Sequence, residues 1–160
     1  MTELMKAVKN NDVASVRELV EQGIDVNELD ANQDAPLIIA AYKGYTEIVK
    51  LLLEAGADVS IVDPGMKATA LHAAAYAGKT EAAKLLIQYK IDIDKQGPYN
   101  GYTALHDAVW QNNVETAKVL IEAGANLNIE SNAGETPLDL AKSRNYKKII
   151  TLIEKKTSTA

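Results

Sequence analysis

The sequence predicts an all-α solenoid of five short helix-turn-helix repeats, and three observations lead there. The first is a fixed period. Leu37, Leu71 and Leu105 are 34 residues apart and Leu138 follows after 33, each inside a related tetrapeptide: APLI, TALH, TALH and TPLD. The second is a recurring partner segment: EIVKLLLEAGAD from Glu47, EAAKLLIQYKID from Glu81 and ETAKVLIEAGAN from Glu115. Self-similarity at such a period marks a stack of units rather than one closed core. The third is helical patterning inside the unit. Leu71, Ala74 and Ala75 stand at i, i+3, i+4, and so do Ala82, Leu85 and Leu86 beyond Gly78. That spacing puts each trio on one helix face. Helices this short are marginal alone, so each pair needs neighbours of its own kind.

The unit has a physical reading. Thr69, Thr103 and Thr136 sit where a side-chain oxygen can cap the first helix. Pro36 and Pro137 fall at the first helical position, where a missing N–H costs nothing. The alanines let neighbouring helices approach closely, and Gly23, Gly56 and Gly124 end the second helix in a left-handed conformation. The period, the T-P-L-H-type tetrapeptide, the G-A-D tail and the Asn-Gly or Ala-Gly turn before the next Thr resemble the ankyrin repeat, over roughly residues 2–155. The resemblance implies an all-α ankyrin-repeat solenoid whose five helix-turn-helix repeats are joined by β-hairpin-like fingers, the outer two serving as caps. It implies a single domain over residues 1–160, with repeats at about 1–28 (N-cap), 29–61, 62–95, 96–129 and 130–156 (C-cap).

In chain order, the first repeat keeps Leu4, Ala7, Leu19 and Gly23 but carries Ser15 and Glu18 where inner repeats are apolar, which suits an outward-facing cap. The second has the finger DANQDAP, with Gln33 for the usual Gly and Ala35 for the usual Thr, so a looser finger is expected. The third has a finger one residue longer, IVDPGMKA, with Asp63-Pro64-Gly65 as a turn signal. It also has Lys90 where a Gly is expected, so Lys90 is expected at positive φ. The fourth finger, KQGPYNGY, is again one residue longer and contains Asn100-Gly101, a tight-turn pair. The fifth repeat exposes Lys142, Lys147 and Lys148 at positions that suit a C-terminal cap, and residues 155–160 are expected to fray.

Composition narrows the function. A net charge of −5 leaves no basic excess for phosphate backbones, so no nucleic-acid partner is expected. There is no cysteine, hence no disulfide and no thiol chemistry. No signal peptide is read at the start and no run reaches transmembrane length, so a cytoplasmic monomer without membrane association is expected.

Chemistry-bearing strings are few. Residues 73–80, AAAYAGKT, satisfy a relaxed phosphate-loop pattern, which carries the alternative of a nucleotide-binding protein or enzyme using Ala73 to Thr80. A phosphate loop needs a Gly-rich turn after a strand, whereas residues 73–77 are expected to be helical. His72 and His106 are the only histidines and occupy equivalent positions. The resemblance implies a structural role for them, tying neighbouring fingers by hydrogen bonds. Stacked helices lie about 8–10 Å apart, too far for both imidazoles to share a metal at ~2 Å bonds. No metal, no cofactor and no catalysis are expected. Asp107 and Asp139 are expected to be solvated or bonded to the adjoining loop.

The aromatics point to binding. Five residues past the tetrapeptide Leu stand Tyr42, Tyr76, Trp110 and Ser143. The resemblance places that position on the concave side of the first helix, which commonly contacts partners. Tyr and Trp are enriched in binding hot spots. The expected function is therefore non-catalytic binding of a protein partner through the concave helix face and the fingers. Tyr42, Tyr76 and Trp110 are the expected anchors, flanked by Lys43, Gln111 and Arg144. Finger residues Asp34, Met66, Lys67, Tyr99, Asn100 and Tyr102 extend the surface. A purely structural scaffold segment is the remaining alternative.

Overall fold

The computed structural model describes residues 2–64 and 67–158. Met66, one of the expected finger contacts, lies outside the described residues. Within them the chain forms ten helices and no strand. In order these are α1 (Glu3–Lys9), α2 (Val13–Glu21), α3 (Pro36–Lys43), α4 (Thr46–Glu54), α5 (Ala70–Ala77), α6 (Thr80–Gln88), α7 (Ala104–Trp110), α8 (Val114–Glu122), α9 (Pro137–Ser143) and α10 (Lys147–Ser158). Each odd helix packs against the even helix that follows it. Odd helices also pack on odd and even on even, giving two layers of five.

The helix limits follow from the residues at the ends. The hydroxyls of Thr69, Thr103 and Thr136 accept the N–H groups of His72, His106 and Asp139, a cap worth about 1 kcal/mol. Ala35 has no such oxygen, and α3 starts without a side-chain cap but with Pro36 in its first turn. The odd helices end in residues at left-handed φ. Gly78 has φ +70°, and a Cβ there would stand 3.0 Å from Asn113 Oδ1 of the next pair. Asn113 uses that proximity: its Nδ2 donates to the carbonyl oxygen of Ala75 at 2.8 Å, capping α5 from outside.

Between the layers the core is continuous. Ala40, Ala41, Ala74, Ala75, Ala108 and Val109 are fully buried, so the odd helices meet through small side chains. Leu52, Leu86 and Leu120 of the even helices are fully buried against them. Each such leucine stabilises by about 1.5–3 kcal/mol relative to exposure.

The connecting fingers carry no strand ladder. Each is closed by a backbone hydrogen bond between its ends, Asp30 N–H to Asp34 O, Asp63 to Ala68, Gly97 to Tyr102, and Ser131 to Glu135, with a second bond returning inside it, Gln33 N–H to Asp30 O, Lys67 to Asp63, Gly101 to Gly97 and Gly134 to Ser131. The closure spans one residue more in the third and fourth fingers, as their length predicts. The expected looseness of the second finger is not what forms. Asp30 is buried, its carboxylate accepts the N–H groups of Asn32 and Asp34, and Lys9 Nζ reaches it at 3.3 Å. Gln33 takes φ +67° in the place of a glycine. The expected fraying from residue 155 is also not seen up to Ser158. There α10 continues, with the Thr157 and Ser158 hydroxyls donating back to carbonyls of their own helix.

Candidate partner-binding groove

The two histidines build the wall from which the groove rises. A carbonyl can only accept, so His72 Nε2–H donates to Tyr102 O at 2.9 Å, and His106 Nε2–H donates to Glu135 O at 2.9 Å. Each Nδ1 is thereby left as the acceptor for a threonine hydroxyl, at 2.8 Å from Thr69 and 2.9 Å from Thr103. Burial holds both imidazoles below their usual pKa, in the neutral form this pattern requires. The histidines thus pin the fourth and fifth fingers onto α5 and α7. Among the described residues no group of His, Cys, Asp or Glu stands where it could hold a metal ion.

The phosphate-loop string has a different use. Ala73 lies within α5 and its N–H donates to Thr69 O at 3.1 Å. Lys79 N–H donates to Ala74 O at 2.8 Å, closing the helix end. The Lys79 stem lies over Gly44, within 2.7 Å of where a Cβ would stand. These groups form a turn between helices, with no cradle for phosphates.

On the finger side of the odd layer the chain leaves aromatic surface uncovered. Tyr42 is 37%, Tyr76 46% and Trp110 39% exposed, while Tyr99 at the fourth finger is 82% exposed. A cavity of about 380 Å³ brings together Tyr42, Tyr76, Lys67, Tyr99, Asn100 and Tyr102, with His72, Ala73 and Asp107 also in its wall. Trp110 continues this surface rather than lining the cavity. Tyr102 stacks on His106 at 5.1 Å between ring centroids and tilts against Trp110 at 6.2 Å. The Arg144 guanidinium lies 3.7 Å above the Trp110 ring. Lys43 and Gln111 are exposed beside Tyr42 and Trp110. Asn100 shapes the fourth finger, its side chain accepting Tyr102 N–H and its carbonyl accepting Asn132 N–H. Asp34 stands apart from the cavity at the second finger. It lies 3.9 Å from Lys9, and burial, then Asp30 and Asp63, push its carboxyl above the usual range.

One residue of the cavity departs from expectation. Asp107 is neither well solvated nor bonded to the adjoining loop. It is half-buried, and among the described residues its carboxylate has no hydrogen bond and no ion pair. Burial alone pushes its pKa up to about 8. The signal in the sequence was register. Two residues past the tetrapeptide Leu stand Ile39, Ala73, Asp107 and Leu140, so an acid occupies an otherwise apolar position. By contrast Asp139 is exposed and accepts Thr136 N–H at 3.0 Å, completing a reciprocal cap.

The family model for ankyrin repeats, three copies long, matches residues 1–63 and 60–131. The chain belongs to the ankyrin repeat family. Relatives are partial. The palmitoyltransferase Hip14 of Drosophila melanogaster is 40% identical over 70 residues, which is 44% of this chain and 11% of that protein. A putative ankyrin repeat protein of Rickettsia bellii is 34% identical over 44% of this chain and 39% of its own length. Serine/threonine-protein kinase 12 of Arabidopsis thaliana is 35% identical over 38% of this chain and 13% of its own length. The matches thus span well under two thirds of these relatives' lengths. Ankyrin repeats are in general protein-interaction modules. Among the described residues no helix is long and apolar enough to cross a membrane.

Proposed function

We propose that this chain is a non-catalytic binding module that seats a partner protein in the groove between the odd helices and the fingers. The observation that carries the reading is the aromatic surface: three exposed rings at equivalent positions of α3, α5 and α7, extended by Tyr99 and Tyr102. Large aromatic side chains fixed on helices give contact area at little entropic cost, which is why they dominate binding energy. The wall beneath them includes fingers held by His72, by His106 and by the buried carboxylate of Asp30. Lys43, Gln111, Arg144, Asp34, Lys67 and Asn100 supply a polar rim.

The reading includes a monomer acting in the cytoplasm, without nucleic acid, and with repeat boundaries near residues 28, 61, 95 and 129. A standard interface covers about 800 Å² on each side, an extent suited to a groove three repeats long. The test is substitution. A protein captured by the wild-type chain from its native lysate should be lost from Tyr76→Ala and Trp110→Ala baits and kept by Lys50→Ala and Lys84→Ala on the even layer. Capture indifferent to the aromatic positions would instead support a scaffold segment without a discrete ligand.

A further inference from the structure

We propose that the cavity bounded by Tyr42, Tyr76, Tyr99 and Tyr102 is a pocket for a cationic side chain of the partner, an ammonium or guanidinium that pairs with Asp107. The inference rests on the reading of this face as a protein-binding surface and specifies what enters it.

Three observations converge. First, four phenol rings and one carboxylate share a single cavity of about 380 Å³, within the range of ligand pockets. Aromatic faces attract cations, and more strongly where water is displaced. Second, Asp107 is an acid without a hydrogen-bond or ion-pair partner among the described residues, at a register position that is otherwise Ile39, Ala73 and Leu140. A half-buried, unpaired carboxylate opposes folding, and its raised pKa records that cost. A fold that leaves an acid unpaired beside aromatic rings, when its equivalents are apolar, carries a cost that an incoming cation removes. Third, the neighbouring ring has its cation already. Arg144 covers Trp110 at 3.7 Å, so this surface binds a guanidinium within the molecule itself. Lys67 does not do the same for Asp107. It is exposed at the cavity rim and makes no ion pair with that carboxylate among the described residues.

The test is an NMR titration of the full chain with N-acetyl-lysine methylamide, set against the norleucine and glutamate counterparts. The lysine probe should shift the Tyr76 and Tyr99 ring signals saturably. Norleucine, of similar shape but neutral, should bind at least about tenfold more weakly, and glutamate should not bind. Asp107→Asn should lose the lysine response while its Tm stays level or rises, because a buried acid that is costly to ionise is removed. Lys67→Ala should bind lysine as well as wild type or better. Norleucine binding as well as lysine, or an undiminished lysine response in Asp107→Asn, would overturn the proposal. The two readings also fail separately. If the partner is lost on Tyr76→Ala but no cation binds, the groove reading stands and the pocket falls. If lysine binds while partner capture ignores the aromatic positions, the pocket stands and the groove reading falls.

Discussion

Single residues in this chain show what each position costs. Lys90 takes φ +60° at the end of α6, where Gly23, Gly56 and Gly124 serve α2, α4 and α8. A side chain there costs on the order of 1 kcal/mol, so Lys90→Gly should raise stability by about that amount in urea melts. The histidines work in the opposite sense. His72→Ala leaves the Tyr102 carbonyl and the Thr69 hydroxyl without their partner and should cost about 1–2 kcal/mol. Folded His72 and His106 titrate below their unfolded value of 6.5 because burial disfavours the charged ring. Their contribution is therefore present above pH 6.5 and is lost as pH falls through the folded pKa values. Asp107 runs the other way. Its folded pKa of about 8 stands above its unfolded 3.8, so its contribution is full below pH 3.8 and is lost as pH rises through 8. Asp107→Asn should accordingly exceed wild type by about 1–3 kcal/mol at pH 9, with the gap closing toward pH 4. Equal melts at both pH values would show that Asp107 has a partner that neutralises it.

At the scale of elements, most of the architecture was legible in the sequence because it rests on local chemistry. The Leu-x-x-Ala-Ala spacing marks the buried stripe, and Ala74, Ala75, Ala108 and Val109 are indeed fully buried. Threonine before the stripe starts a helix, and a residue at positive φ after it (Gly78, Asn112 or Asn145) ends one, so the limits of α5, α7 and α9 follow from three or four residues each. What escaped was long range. Asp30 rescues a finger that lacks both its Gly and its Thr, but it does so with Lys9, 21 residues away. Asp107 reads as an ordinary helix-surface acid until the fourth finger folds over it, bringing Tyr99 and Tyr102 into the same cavity. Periodicity tells which face a residue takes and says nothing of what a loop from the same repeat lays across it. The aromatic positions were legible by register. Arg144 stacked on Trp110 was not, because their approach depends on how far α9 is offset from α7.

At the scale of the whole molecule, the chain is a row of helix pairs, each tied to the next by specific polar links. His72 and His106 pin fingers, Asn113 caps α5, and the Thr80 and Thr116 hydroxyls meet at 2.8 Å between α6 and α8. Such a row holds widely separated side chains in fixed relation. In the proposed function, that fixed relation lets Tyr42 on α3, Tyr76 on α5 and Trp110 on α7 act together on one ligand. Under the same proposal this aromatic row carries partner affinity. The most direct measurement is titration calorimetry of the purified partner against wild type, Trp110→Ala and Lys50→Ala, with circular dichroism establishing that each variant is folded. Trp110→Ala should weaken binding by about 2 kcal/mol, roughly thirtyfold, while Lys50→Ala leaves it unchanged. Undiminished binding by folded Trp110→Ala, or an equal loss on Lys50→Ala, would contradict that proposal.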